Sequence, residues 1–321
     1  MFALLACGLA TSPGGTNAQS TRVPRIGFLA SSSAERVAGR FAAFRHALAE
    51  LGYREGNSVV IDQRYAGGNP GLLSSLAAEL VRLPVDILVT EGTPAAVAAK
   101  KATDSIPVVF GNAGDPVGTG LVASLAKPGG NVTGLSDFSA SLVTKRLELL
   151  KEVAPATTSV AFLFNPSNPS NLLELRQMRA VSEAMKVKIF AIEIVEAGNI
   201  SPAATTVGDG KADALIVAGD PTLGVNQKHI IELARAHRLP ALYPARIYVD
   251  AGGLISFGTN FDALFRRAAL FVSKILQGAR PADLSVEQPI AFEVVINMRT
   301  ARSLGLTIPA HVLIRADEVM E

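Results

Sequence analysis

Pro107-Val-Val-Phe-Gly-Asn-Ala-Gly-Asp-Pro116 and Ala214-Leu-Ile-Val-Ala-Gly-Asp-Pro221 decide the reading of this chain. Each sets an apolar, β-like run before the tripeptide Gly-Asp-Pro. An Asp ahead of Pro suits the start of a helix: the carboxylate accepts from backbone N–H groups of the first turn, and Pro needs no donor there. Free N–H groups then point outward where a strand ends, and such ends bind small polar ligands. Two copies predict two similar α/β halves facing each other.

Length and composition agree. A chain of 321 residues exceeds one comfortable core and suits two domains of roughly 150 residues. Apolar residues make up 49% and charged residues 18%, with a net charge of +2, which describes a well-packed protein and not a polyanion binder. The pI of 8.7 reflects a slight excess of Lys and Arg with no basic stripe, so nucleic acid is not an expected partner. Cys7 is the sole cysteine, which excludes an intrachain disulfide. No Cys/His spacing suggests a metal, and no cofactor is expected. The histidines, His46, His229, His237 and His311, show no H-E-x-x-H spacing and no G-x-S-x-G partner.

Residues 1–21 read as a leader. Phe2 to Ala10 are small and apolar, and Asn17-Ala18-Gln19 closes a small-residue stretch of the kind that ends secretory signals. Leu4-Leu-Ala-Cys7 also resembles a lipobox, with Cys7 as the lipidation site. A frayed apolar tail is the alternative. No later segment approaches about 18 uninterrupted apolar residues.

From Arg25 to about Val195, β-branched runs alternate with helical patterns, which argues for parallel sheets covered by helices. Strands are expected at 26–30, 59–65, 87–91, 107–110 and 132–135, with helices at 34–51, 70–82, 93–103 and after Pro116. A second lobe is expected from about residue 138: helices at 139–153, 169–185 and 222–237, and strands at 160–164, 189–195, 215–218, 241–243 and 254–257. The amphipathic stretch Phe261 to Gln277 carries Phe265, Ala269, Val272 and Leu276 on one side, and packing against the first lobe is its expected place. A last strand at 292–297 and helix at 298–306 have no lobe assigned by pattern alone.

The chain resembles the periplasmic substrate-binding proteins of ABC transporters of the tryptophan/tyrosine-binding type. The resemblance rests on Arg25-Ile-Gly-Phe-Leu29, Phe44-Arg-His-Ala-Leu-Ala-Glu-Leu-Gly-Tyr53, Gly92-Thr-Pro94, Gly114-Asp-Pro-Val117, the run from Leu121 to Gly134, Lys145-Arg-Leu-Glu-Leu-Leu150, and Gly305-Leu-Thr-Ile-Pro309 through Arg315-Ala-Asp-Glu-Val319. It implies a type I periplasmic binding protein fold: two doubly wound parallel-sheet lobes joined by a hinge of three crossovers, near Asp137, Asn260 and Gln288. The lobes would be 22–137 plus 261–288, and 138–260 plus 289–321.

An amino-acid zwitterion in the cleft needs converging donors for its carboxylate and acceptors for its ammonium. Ser31, Ser32, Gly92, Thr93 and Asp115 lie at strand ends of the first lobe, and Asn165, Asn168, Asp220 and Thr222 at those of the second. Asp115 and Asp220 are the ammonium candidates by charge, although helix capping alone explains each. Thr93-Pro94 reads as a capping turn, and the resemblance puts it at the cleft. Asn165-Pro-Ser-Asn-Pro-Ser170 reads as a rigid turn or a ligand loop. Phe138 and Tyr243 either stack on a ligand ring or belong to the core. Arg246 either clamps a carboxylate or sits on the surface. Gly118-Thr-Gly120-Leu-Val-Ala123 matches a dinucleotide fingerprint in form, but it follows Gly-Asp-Pro and not a strand end, so it reads as a helix entry.

No catalytic constellation accompanies the two lobes. The expected function is an exported solute-binding receptor, periplasmic or lipid-anchored and monomeric. It would close on a small polar ligand, an amino acid in the sense of the resemblance, and deliver it to an ABC permease. A secreted enzyme on the same fold and the sensor domain of a signalling system are the competing readings.

Overall fold

In the computed structural model, which describes residues 22–321, the chain forms two sheets. The expected leader, Cys7 included, lies outside the described residues. Strands β1 (Arg25–Ala30), β2 (Val60–Tyr65), β3 (Ile87–Glu91), β4 (Val108–Ala113) and β5 (Val132–Ser136) build the first sheet in the order β2-β1-β3-β4-β5, every pair parallel. The second contains β6 (Ser159–Phe164), β7 (Lys188–Glu193), β8 (Ala214–Val217), β9 (Ala241–Tyr243), β10 (Ile255–Thr259), β11 (Phe292–Asn297) and β12 (Glu318–Met320). Its order is β12-β11-β10-β9-β8-β6-β7, parallel except where β10 meets β11. The tail thus belongs to the second sheet.

Helices α1 (Ala34–Glu50), α2 (Leu73–Arg82) and α3 (Thr93–Ala102) follow β1, β2 and β3. In the second half come α4 (Ser139–Val153), α5 (Pro169–Ser182), α6 (Ser201–Gly208), α7 (Pro221–Val225), α8 (Gln227–Ala236) and α9 (Arg246–Asp250). Helix α10 (Phe261–Leu276) precedes α11 (Met298–Leu304) and α12 (Ala310–Ile314). Helices cover both faces of the first sheet, so β1, β3, β4 and β5 are buried along nearly their whole length, and only the edge strand β2 is polar. Neighbouring Phe28 and Leu29 point to opposite faces and enter separate cores, one with Phe44 and Phe265, the other with Leu88 and Phe110. A further core around Phe162, Leu215 and Leu242 belongs to the second lobe.

Helix α10 returns to the first lobe against α1 and β4, as its amphipathic pattern predicts. Gly111 makes room for it: a side chain there would begin 2.5 Å from the Phe265 ring. The chain passes between lobes three times, at Asp137-Phe138, at Asn260 between β10 and α10, and after Glu287, which bridges to Leu135 before β11 joins the second sheet. At the first passage Phe138 takes φ +62°, a left-handed conformation uncommon for a bulky residue, and turns β5 into α4.

Four sequence expectations need correction. The chain after Pro116 forms overlapping turns, in which Thr119 N donates to Asp115 O and Leu121 N to Pro116 O, and no helix follows. The helix expected at 222–237 is two helices, broken at Asn226, whose side chain donates to Thr222 O and Glu196 O. The final helix stops at Leu304, where Gly305 takes φ +74°. The two Gly-Asp-Pro copies are also not equivalent. Gly114-Asp-Pro116 follows β4, whereas Gly219-Asp-Pro221 follows β8, the second lobe's counterpart of β3. The true structural partner of Gly219-Asp220-Pro221 is Gly92-Thr93-Pro94.

Candidate functional site

In the order β2-β1-β3-β4 the connection out of β1 runs to one side of the sheet and that out of β3 to the other, and β7-β6-β8-β9 repeats the arrangement. Helices on opposite faces leave a crevice beyond the carboxyl ends of those central strands, where open α/β sheets bind ligands. Here two crevices face each other. Ser32 follows β1, Gly92 and Thr93 follow β3, Asn168 lies in the loop after β6, and Gly219 and Asp220 follow β8. All line one interlobe cavity that opens to solvent, the concave setting in which small-molecule sites are found.

At the hinge end, Asp137 is half-buried. Its Oδ1 accepts from Ser139 N at 3.1 Å and its Oδ2 from Asn112 Nδ2 at 3.4 Å, which leaves acceptor capacity toward the cavity. Burial raises its pKa above the ordinary value, opposed by the hydrogen bonds from Ser139 and Asn112 and by the charge of Arg146. Arg146 is 2% exposed, donates through Nε to Phe257 O at 2.9 Å and through Nη1 to Glu174 Oε2 at 3.3 Å, and reaches the cavity wall. Behind it Glu174 is fully buried and accepts from Asn171 Nδ2 at 3.0 Å. Burial pushes its carboxyl up to about 7, although Arg146 lies beside it.

Two further carboxylates are already engaged. Glu91 accepts from Ser32 N at 3.0 Å, Ser32 Oγ at 3.1 Å and Arg40 Nη1 at 2.7 Å, while the Arg40 guanidinium sits 4.8 Å from the centre of the Phe261 ring. Asp220 caps α7, accepting from Thr222 N at 2.7 Å and Leu223 N at 3.1 Å, and takes further bonds from the side chains of Asn165 and Asn168. Capping is therefore the structural role of Asp220, and burial raises its pKa against those same bonds.

The two lobes touch across the cavity. Thr222 Oγ1 donates to Gly68 O at 2.7 Å, and Arg36 Nη1 donates to Gln227 Oε1 at 2.9 Å. Gly114 approaches the second lobe so closely that a Cβ would lie 1.8 Å from Ser170 Oγ.

Of the residues expected at the site, Ser32, Gly92, Thr93, Asn168 and Asp220 line the cavity. Ser31, Asn165 and Thr222 stand behind them: Ser31 Oγ accepts from Ala95 N at 3.1 Å, and Asn165 Nδ2 donates to Thr222 Oγ1 at 3.1 Å. Asp115 lies outside the lining and accepts from Gly118 N at 2.9 Å, holding its turn. Phe138 also lies outside it, stacked on Phe292 with ring centres 6.2 Å apart. Tyr243 is a core residue at 1% exposure, since its strand points the ring inward onto Tyr248 at 5.0 Å. Arg246 is a surface residue, paired with Glu318 and Asp250. The sequence reading missed Arg36, Asp137, Arg146 and Tyr248. Arg146 left a readable signal, because it shares the three-and-four spacing of Leu142, Val143, Leu149, Leu150 and Val153, so a charge sits on the buried stripe of α4.

Several known proteins are similar to this chain along most of its length. A tyrosine-binding protein of Clostridioides difficile is 27% identical over 263 residues, 82% of this chain and 75% of the relative. An ABC domain of Streptococcus pneumonia, solved in complex with L-Trp, is 29% identical and superposes with a TM-score of 0.87 over 93% of this chain and all of that one. A substrate-binding protein with adhesive properties from Clostridium difficile, in a ligand-free, open structure, is 26% identical and reaches a TM-score of 0.67 over 93% of this chain and 99% of that one. The fold is that of the type I periplasmic binding proteins. Residues 32–320 match the family described as ABC transporter substrate binding protein, and to that family the chain belongs.

Proposed function

We propose that this protein is an extracytoplasmic receptor that closes on one α-amino acid and hands it to an ABC permease. The observation that carries the reading is the pairing, at the hinge end of the cavity, of an under-satisfied carboxylate with a buried guanidinium. Asp137 has room to accept an ammonium, and Arg146, Thr93, Ser139 and Ser170 stand around it as donors for a carboxylate. Ser32, Gly92, Asn168 and Asp220 complete the wall, with Ser31, Asn165 and Thr222 holding them in place. Asp220 contributes its shape and cap, and Asp137 takes the ammonium role.

Closure follows from the two-lobed arrangement. Residues 22–137 plus 261–288 and residues 138–260 plus 289–321 move as bodies about the three passages. A ligand touching both adds contacts that exist only when they meet, and so shifts the population toward closure. The interlobe bonds, and the higher TM-score to the L-Trp complex than to the open structure at similar identity, support a closed arrangement of the lobes. A lone receptor of this kind needs no second copy and is a monomer.

The test is a thermal-shift panel of amino acids, sugars, purines and peptides on protein stripped of bound ligand by unfolding and refolding. An amino acid at about 1,000 times its Kd adds roughly 4.1 kcal/mol. It should raise the midpoint by several degrees, be recovered chemically unchanged, and lose its effect when the ammonium is removed. Recovery of a converted product would favour the secreted-enzyme reading, and a response confined to sugars or purines would overturn the amino-acid assignment.

A further inference from the structure

We infer that the second lobe carries a further small-molecule site between α8 and α11, and that this site takes a small apolar monocarboxylate. The inference does not depend on what fills the interlobe cleft. The pocket lies at the amino ends of β9 and β10, whereas the cleft lies at the carboxyl ends of the strands. Its wall is apolar, made by Ile231, Ala234, Leu239, Leu254 and Leu304.

Tyr243 supplies the polar group. Its ring is fixed, stacked on Tyr248 with centres 5.0 Å apart and crowded by Gly253, where a Cβ would lie 2.6 Å from Tyr243 Cε2. Tyr243 is 1% exposed and lines this pocket, and its hydroxyl makes no hydrogen bond to a described residue. The fully buried oxygens without a partner are Thr90 Oγ1 and Ser256 Oγ, so the Tyr243 hydroxyl is the part of the side chain that opens on the pocket. Burial raises its pKa, which keeps it protonated and able to donate. The other hydroxyls of the wall are spent: Thr300 Oγ1 donates to Gly252 O at 2.9 Å, and Ser303 Oγ to Thr300 O at 2.8 Å. A buried hydroxyl without a partner calls for an acceptor from outside the chain.

Charge selects the acceptor. Helix α8 ends in a turn where Arg238 N donates to Arg235 O and Leu239 N to Ala234 O, with Arg238 at φ +53°. The turn folds Leu239 back beside Ala234 and leaves the Arg238 side chain exposed at the rim. Arg235 at the same rim pairs with Glu232, whereas Arg238 forms no ion pair with a carboxylate of the described residues. No Asp or Glu lines the pocket, so its rim is positive over an apolar wall. A carboxylate has two oxygens, one to accept from the Tyr243 hydroxyl and one from a guanidinium folded over the mouth. An ammonium would meet like charge, and a neutral alcohol would leave the rim cation unmatched. Tyr248, on which Tyr243 stacks, lines the cleft, so the stacked pair separates the two sites.

Titration of the whole chain with hexanoate, 1-hexanol and hexylamine tests this, in wild type, Tyr243→Phe and Arg238→Gly. Amide NMR signals of Gly252 and Gly253 report on the pocket, and those of Gly92 and Gly219 on the cleft. In wild type, millimolar hexanoate should shift Gly252 and Gly253 saturably, with 1-hexanol roughly tenfold weaker and hexylamine without effect. Tyr243→Phe keeps the ring and should weaken hexanoate about fivefold. Arg238→Gly suits the left-handed position, so it removes the charge without straining the turn, and it should weaken hexanoate while leaving 1-hexanol unchanged. If Tyr243→Phe fails to fold, Arg238→Gly decides alone. Hexanoate shifts confined to Gly92 and Gly219, no saturable shift at all, or equal binding of the three probes overturns the inference. So does a hexanoate affinity that neither variant changes.

Discussion

The hydroxyl of Thr222, at the start of α7 in the second lobe, donates to the carbonyl oxygen of Gly68 in the first lobe at 2.7 Å. Thr222 is 2% exposed and its oxygen also accepts from Asn165 Nδ2, so the bond is made in a dry setting by a hydroxyl whose other contact is fixed. It spans the lobes and therefore exists only when they are together. Replacing Thr222 with Val keeps the volume and deletes the bond, whose net worth is about 1 kcal/mol. The closed form should lose roughly fivefold in population relative to the open one. Ligand affinity should drop by a similar factor while the melting point of the ligand-free protein stays put. Titration calorimetry with small-angle scattering checks both, and an unchanged affinity would show that the bond adds nothing to closure.

A steric variant probes the same motion from the other side of the cleft. A methyl group at Gly114 would lie 1.8 Å from Ser170 Oγ, 2.8 Å from Ser170 Cβ and 2.4 Å from Ser139 Oγ, all in the facing lobe. Both serines have short side chains with little room to retreat. The Gly114→Ala protein should fold normally, remain as extended with ligand as without it in scattering, and bind at least tenfold more weakly. Normal compaction on ligand addition would mean that the serines rotate aside.

The architecture is readable in the sequence because its signals are local. Apolar runs, helix starts and the amphipathic face of 261–277 each depend on a few neighbouring residues, and the parallel sheets follow from their alternation. The Gly-Asp-Pro repeat points to two similar halves, yet the pairing it suggests is displaced by one strand, since Gly114 follows β4 and Gly219 follows β8. Local motif chemistry says that a strand ends there and not which strand it is. The turn after Pro116 shows the same limit: Asp115 holds Gly118 N as a cap should, but Gly118 and Gly120 interrupt the segment, Gly120 at φ +71°, so Leu121 and Val122 reach the core without a helix. Cavity-lining residues on strand-end loops, such as Thr93 and Asn168, are legible for the reason that the loops are. Arg36 and Asp137 are not, because their roles come from residues far along the chain, Gln227 in one case and Asn112 in the other.

Asp137 as the ammonium partner makes a prediction in affinity and pH together. Asp137→Asn keeps the size and its place beside Ser139 but removes the charge, and a hydrogen bond to a charged group is worth about 1.5–3 kcal/mol. Affinity for the amino acid should drop between roughly tenfold and a hundredfold, while the same acid lacking its amino group, a weak ligand, should be unaffected. Burial raises the Asp137 carboxyl above its ordinary value in the empty site, and a bound ammonium favours the ionised form. Wild-type affinity should therefore be constant above that raised pKa and weaken as pH falls through it, with proton uptake into the empty site. The Asn variant should lack this acid limb. Equal acid limbs in both proteins, followed by calorimetry across buffers, would assign the proton to another group.

Glu174 gives the corresponding prediction for stability. Its carboxyl rises from the ordinary 4.5 to about 7 because burial outweighs the attraction of Arg146, and the charges of Asp137 and Asp220 push the same way. A group whose pKa rises on folding binds more protons folded than unfolded. Its share of stability is then complete below 4.5 and is lost as pH climbs through about 7. Glu174→Gln preserves an acceptor for Arg146 and cannot ionise, so subtracting its pH–stability curve from that of wild type isolates this one group. In chemical denaturation from pH 5 to 8 the wild type should lose stability relative to the variant as pH rises, steadily up to about 7 and levelling off above it. Parallel curves would mean that Arg146 holds Glu174 ionised throughout. The carboxylate would then be a fixed anion that keeps the guanidinium in place, and Arg146 would face the ligand with the same charge at every pH.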